Sequence, residues 1–109
     1  MNREAPPAQP ITVSTATGVF GPAYFGGGFK VAAVAYTGGA TAQTMVGSVQ
    51  GSIGNSGVWA NVLLLTTANS TGTVYLASTG QTRVFDKLRV NLSANNRTAS
   101  TVVWLGVAE

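Results

Sequence analysis

Charged and chemically reactive side chains are scarce in this sequence. Its 109 residues contain no Cys and no His, and only 8% are charged, with three acidic residues against six basic ones. A typical soluble domain has about 25% charged residues. Without Cys the chain cannot form a disulfide, and without His it has no imidazole for a catalytic triad or for zinc. These absences exclude most of the side-chain chemistry on which enzymes depend.

The three acidic residues are too scattered for carboxylate chemistry. Glu4 lies near the start, Asp86 lies in a predicted strand, and Glu109 is the last residue. Paired-carboxylate catalysis needs two acids within about 10 Å, and a calcium site needs several carboxylates together. Asp86 is next to Lys87 and three residues from both Arg83 and Arg89, so we expect it to form an ion pair. The sequence therefore predicts a protein that is not an enzyme and that uses no cofactor and no metal.

Apolar residues are abundant by contrast. The chain is 45% hydrophobic and contains 14 glycines. A chain of this length forms one domain and buries about two-thirds of its unfolded surface, which is enough for a core. Few charges are then left to cover the exterior. We infer that much of the surface is buried against neighbouring subunits.

Residues 1–10 predict an extended N-terminal arm. Pro6, Pro7 and Pro10 oppose a helix and favour extended backbone. Ten extended residues reach about 30 Å, so the arm is either a frayed terminus or a strap on a neighbouring subunit.

No targeting or membrane segment is expected from the sequence. The first residues show no basic start followed directly by an apolar run, which a secretion signal needs. No stretch approaches the ~20 apolar residues of a membrane-spanning helix. We expect the chain to be made and kept in a cytoplasm until it assembles.

Residues 11–109 predict an all-β domain. Runs of β-branched and aromatic residues are separated by Gly, Asn and Ser, and no window has a helical period. The predicted strands are 11–17, 19–25, 29–37, 42–50, 58–66, 73–77, 83–92 and 100–108. About eight short strands at this spacing predict an antiparallel β-sandwich or jelly roll.

The hydrophobic pattern differs between the predicted strands. Strand 83–92 alternates apolar and polar residues, as a half-buried strand does. Strand 100–108 and the run 62–65 are apolar on both faces. An outer apolar face predicts a cover, which is another subunit, a loop or the N-terminal arm.

Basic residues in the second half of the chain form a candidate contact surface. They are Arg83, Lys87, Arg89 and Arg97. The first three share one strand face if no bulge intervenes. So few cations give only a weak electrostatic attraction for nucleic acid. The alternatives are a solvated face, the rim of an interface, or a surface that meets an acidic patch on a partner subunit, for which arginine is well suited.

Trp59 is the candidate glycan-binding residue. It follows the Gly-rich stretch 51–57, where we expect the tip of a hairpin. An exposed, flat aromatic ring at such a tip would stack against a sugar. Most aromatic residues of a small sandwich instead fill the core or an interface.

Several features follow one another in a characteristic order along the chain. An aromatic strand ends in Gly26-Gly27-Gly28, Gly-Gly-Ala-Thr follows at 38–41, and a Gly/Asn/Ser loop at 54–57 runs into Val58-Trp59. Thr-Val-Tyr-Leu at 73–76 comes next, then Arg89-Val90 and a closing Val-Val-Trp-Leu. From Gly18 to Val107 the chain resembles small β-sandwich virion proteins of tailed bacteriophages. These include capsid decoration proteins, head fibres and tail-associated adaptors.

The resemblance implies a structural protein of the virion, with capsid decoration (cement) as the expected role. The alternatives are a tail, baseplate or fibre component and a carbohydrate-binding module for the host surface. The expected partners are further copies of the chain, with a trimer favoured, and the major capsid protein or other virion subunits. No nucleic acid or membrane is expected as a partner. The predicted contact residues are Arg3, Pro6, Pro7, Pro10, Ile11, Arg83, Lys87 and Arg89.

Overall fold

A computed structural model of the chain describes residues 6–37, 43–70, 73–78 and 84–109. These residues form eight β-strands. The strands are β1 (Gln9–Val13), β2 (Gly18–Phe29), β3 (Val31–Thr37), β4 (Gln43–Ser52), β5 (Ala60–Ser70), β6 (Thr73–Ala77), β7 (Phe85–Asn95) and β8 (Thr101–Ala108). The prediction of an all-β chain is confirmed.

The strands form two antiparallel sheets. One sheet has the order β1-β8-β3-β6 and the other β2-β7-β4-β5. Every connection along the chain crosses between the sheets except the one from β4 to β5. Eight strands wound in this way into two sheets form a jelly roll, one of the two predicted folds.

The core lies between the two sheets and is built from alternate residues of each strand. In β7 the inward residues Leu88, Val90 and Leu92 are almost fully buried, which confirms the predicted alternation. Phe85 is also buried, although it is three residues from Leu88. The alternation therefore breaks at Asp86 and Lys87, between the buried residues Phe85 and Leu88. Each of these buried apolar side chains contributes about 1.5–3 kcal/mol.

Seven of the eight strands differ from their predicted bounds by up to four residues, and two of these differences concern features singled out in the sequence. β1 begins at Gln9, because Gln9 and Pro10 pair with Leu105 and Trp104 of β8. Proline is tolerated there because β1 is at the edge of its sheet. The extended arm therefore ends at Ala8, two residues before the predicted boundary.

The second difference concerns the glycine run at 26–28. It was expected to separate two strands, but β2 continues through it to Phe29. The pairing of β2 with β7 shifts register between Tyr24 and Phe29, and Gly26 has a φ of 66°. A bulged strand with a left-handed glycine absorbs the extra residues without ending the sheet.

Candidate interaction surfaces

The predicted contact residues of the arm are divided by the structure. Arg3 lies outside the described residues. Pro6 is half-buried and Pro7 exposed, and both precede β1. Pro10 is an exposed residue of β1, whereas Ile11 packs against the core. Ile11 thus has a structural role within its own chain, and the arm and the edge strand are distinct parts of the surface.

Charge is concentrated on a single strand. Of the eight strands in the described part of the chain, only β7 contains charged residues, namely Asp86, Lys87 and Arg89. Arg83 lies outside the described residues. Arg97 is only 9% exposed in the loop after β7, so it does not extend the basic surface as its position in the sequence suggested. Lys87 and Arg89 are the predicted basic residues that the structure brings together.

These two cations lie among aromatic rings. The Arg89 guanidinium carbon is 4.2 Å from the centre of the Trp59 ring. The Lys87 Nζ lies 5.5 Å from the Trp59 ring centre and 5.9 Å from that of Tyr24. Such cation–π contacts contribute about 0.5–1 kcal/mol each at exposed sites. We call Tyr24, Trp59, Lys87 and Arg89 the basic–aromatic patch.

A chain of hydrogen bonds holds the patch from one side. Arg89 Nε donates to Gln50 Oε1 at 2.9 Å, and Gln50 Nε2 donates to Asn61 Oδ1 at 3.0 Å. Ser48 Oγ donates to the same Asn61 oxygen at 2.8 Å. These hydrogen bonds run from β7 across β4 to β5. The Arg89 guanidinium is therefore fixed by the sheet as well as by the indole ring of Trp59.

Sheet register explains why these residues meet. Tyr24 is paired with Lys87, Arg89 with Gln50, and Gln50 with Asn61. Directly paired residues project to the same side of a sheet. Sequence reasoning selected Lys87, Arg89 and Trp59 but missed the other partners, because pairing between distant strands leaves no local signal in the sequence.

Trp59 offers a sugar less open ring surface than its position in the sequence suggested. It is half-buried, and the Arg89 guanidinium stacks on one face of its ring. Sugar stacking needs a bare aromatic face. Tyr24 is far more accessible, with 65% of its surface exposed. The arrangement suits a ligand that meets cations beside rings better than a neutral sugar.

Asp86 holds the backbone of a loop, a role that the sequence did not predict. Its carboxylate oxygens accept hydrogen bonds from the backbone N–H of Gly54, at 3.0 and 3.2 Å. Gly54 has a φ of 53° and lies in a turn in which Ser56 N–H donates to the carbonyl of Ile53. Asp86 therefore anchors the loop that leads to Trp59.

Removing this anchor gives the first prediction. We expect Asp86→Ala to lower the free energy of unfolding by about 1–2 kcal/mol, because a charge-assisted hydrogen bond is lost. Asp86→Asn keeps an acceptor oxygen and should lose less than half as much. Thermal unfolding followed by circular dichroism measures both. Equal stability of the alanine variant and the parent chain would show that the contact does not anchor the loop.

The outer side of the other sheet is a second, very different surface. Trp104 is paired with Pro10 on one side and Ala35 on the other, and Ala35 is paired with Tyr75. Gly106 and Ala33 form the next row. Val102 is a further exposed residue of β8. We call these residues the apolar face.

The apolar face is uncharged and exposed in the single chain. Trp104 is 46% and Tyr75 72% exposed. None of the four strands of this sheet contains a charged residue. Ala33, Ala35 and Gly106 lie beside the two aromatic residues and have small side chains or none. A depression of about 330 Å³ lies beside Trp104. The second apolar surface expected of β8 is confirmed. Of the N-terminal residues before β1, Ala8 lies beside this face and lines a small depression with Tyr75 and Trp104.

The described residues offer no alternative chemical centre. They contain no group of three or more His, Cys, Asp or Glu residues that could hold a metal ion. No helix in the described ranges is long and apolar enough to cross a membrane. Comparisons with protein-family models, curated proteins and solved structures find no match to this chain. Function must therefore be argued from the two surfaces.

Proposed function

We propose that the chain is a non-enzymatic structural protein of a bacteriophage virion and that it acts as a capsid decoration, or cement, protein. The observation that carries the proposal is the uncharged apolar face, which presents Trp104 and Tyr75 to solvent in the single chain. Large exposed apolar patches mark surfaces that bind other proteins. The resemblance to small virion proteins suggests that the proteins bound there are other subunits of a virion.

The fold supports this proposal by analogy. Jelly rolls occur in viral capsid domains and also in lectins. A shared fold does not by itself assign a function. The scarcity of charge favours the structural role, because a surface with so few charges keeps a protein soluble only when neighbours cover much of it.

The two surfaces suggest a division of labour. The apolar face joins copies of the chain into a homo-oligomer, which we propose to be a trimer. The arm and the basic–aromatic patch then face the shell. A stable interface buries about 1,600 Å² in total, and contacts repeated over many capsomers add to one another. Binding to the assembled shell in preference to free subunits stabilises the shell by mass action.

The direct test is to locate the protein on particles. Phage particles are purified on a density gradient from a culture that produces the chain and are then labelled with gold-conjugated antibody against it. The proposal predicts label distributed over the head. Label confined to the tail or fibres would instead support a tail component, and particles without label would refute a virion role.

Removing the arm gives the second prediction. Deletion of residues 1–8 stops short of β1, so the midpoint of thermal unfolding should stay within about 3 °C of the parent value. Binding to shells stripped of the protein should fall at least about tenfold, because the strap is lost. A chain with residues 1–8 replaced by a Gly/Ser segment of equal length controls for length. Normal shell binding by the truncated chain would remove the arm from the contact surface.

A further inference from the structure

We propose that the basic–aromatic patch binds an extended acidic segment of a partner protein, with carboxylates at alternate residues. The inference rests on the proposed function, since it names the chemistry of the partner that the patch meets. It is carried by the spacing of two cations, by the fixed position of the arginine and by the aromatic rings beside both cations.

The spacing of the cations selects the form of the ligand. Lys87 and Arg89 are two residues apart in β7, and the intervening Leu88 points into the core. Their Cα atoms are therefore about 6.6 Å apart on one side of the sheet. An extended peptide repeats its own side chains on one side at the same interval. Carboxylates at alternate residues of such a peptide meet both cations together.

The arginine is prepared to receive a carboxylate. Its Nε donates to Gln50 and its guanidinium stacks on Trp59, so little side-chain freedom remains to be lost on binding. Within the described residues, the hydrogen bond to Gln50 is the one that Arg89 makes. The two terminal nitrogens can therefore form the paired hydrogen bonds that suit a carboxylate.

The lysine is placed between two rings. Its ammonium lies 5.9 Å from the Tyr24 ring centre and 5.5 Å from that of Trp59. Lys87 is half-buried, and an ion pair is stronger at a partly buried site than in open water. The exposed Tyr24 ring also offers an apolar contact for the methylene groups of a glutamate side chain.

Two other classes of partner, nucleic acids and sugars, fit less well. A nucleic acid carries a dense row of phosphates and is bound by many cations, whereas the patch has two, flanked by the neutral amides of Gln50 and Asn61. A neutral sugar brings no charge to pair with the two cations, and Arg89 covers one side of the Trp59 ring. An acidic peptide supplies one carboxylate for each of the two cations.

The test is a titration of the full chain, labelled with ¹⁵N, with acetylated and amidated peptides. The peptide Ser-Glu-Thr-Glu-Thr-Glu-Ser has alternate carboxylates, and its isomer Glu-Glu-Ser-Thr-Thr-Ser-Glu has the same composition but no two carboxylates at alternate residues. At low salt we expect a Kd of about 0.1–1 mM for the alternating peptide. Its affinity should exceed that of the isomer at least about threefold. The largest shifts should occur at the Trp59 indole and at residues 87–89.

Matched variants separate the patch from general attraction. Lys87→Gln and Arg89→Gln should each weaken binding of the alternating peptide about fivefold. Lys30→Gln removes the same charge from an exposed residue outside the patch and should change it less than about twofold. Arg89→Lys keeps the charge but loses the planar fork, so we expect a loss of about threefold. The spectrum of each free variant establishes that it is folded.

Several outcomes would overturn the inference. They are absence of binding at millimolar peptide, equal affinity for the two isomers, an equal loss in Lys30→Gln, or tighter binding at the patch of an oligothymidylate or a polygalacturonate oligomer. The result is independent of the labelling of particles. Labelled heads without peptide binding would remove this inference alone, and peptide binding without labelled particles would remove the proposed function alone.

Discussion

Replacing Gly47 by alanine should destabilise the fold strongly, although the substitution adds only one methyl group. A Cβ at this position would lie 2.0 Å from the carbonyl oxygen of Asn91 and 2.8 Å from the Cα of Leu92. These are backbone atoms of the neighbouring strand, so a rotamer change cannot relieve the clash. β4 lies between β7 and β5 and cannot move away without breaking one of its ladders. We expect the free energy of unfolding to fall by at least about 3 kcal/mol.

Gly106→Ala is the matched control for this substitution. A Cβ there would meet its nearest atoms, in Ala33 and Ala8, at 3.9 Å, which is ordinary contact. Alanine in place of glycine in such a setting stabilises by about 0.4–1 kcal/mol, because the unfolded chain loses freedom. Urea unfolding of both variants gives the comparison. Equal midpoints for Gly47→Ala and the parent would mean that β4 and β7 are not so closely apposed.

Replacing Trp104 by glutamate should separate the copies of the chain. The substitution places a charge at the centre of the apolar face, and burying an unpaired carboxylate against another copy is strongly unfavourable. In light scattering after gel filtration we expect the parent at three times its chain mass of 11.1 kDa, and the variant at the mass of one chain. Binding to stripped shells should fall with it, because the valence of the oligomer is lost.

Leu64→Glu is the control for the assembly experiment. Leu64 is 62% exposed and lies beside Ser48 on the outer side of the opposite sheet. Leu64→Glu therefore introduces the same charge at a comparably exposed apolar residue that lies away from the apolar face. The Leu64 variant should keep the mass of the parent. A monomeric parent, or an unchanged mass for Trp104→Glu, would contradict the role assigned to the apolar face.

Local pattern was enough to predict much of the fold. Alternation over 83–92 predicted β7 with Leu88, Val90 and Leu92 inward, and these residues are buried. It failed where the strand departs from a period of two. The break at Asp86 and Lys87 depends on how β7 meets its neighbours, and the run Gly26–Gly28 reads as a turn although it continues β2. Glycine permits both conformations, so its presence alone does not choose between them.

The sequence by itself determined the class of fold, the scarcity of ionisable groups and the presence of a strand with two apolar surfaces, because these follow from composition and from a period of two along one strand. Tertiary structure alone decided which distant residues meet. Antiparallel register pairs Arg89 with Gln50, and the loop between β4 and β5 brings Trp59 to Arg89 and Gly54 to Asp86. Register is set by the packing of all strands together, and no local stretch of sequence contains it.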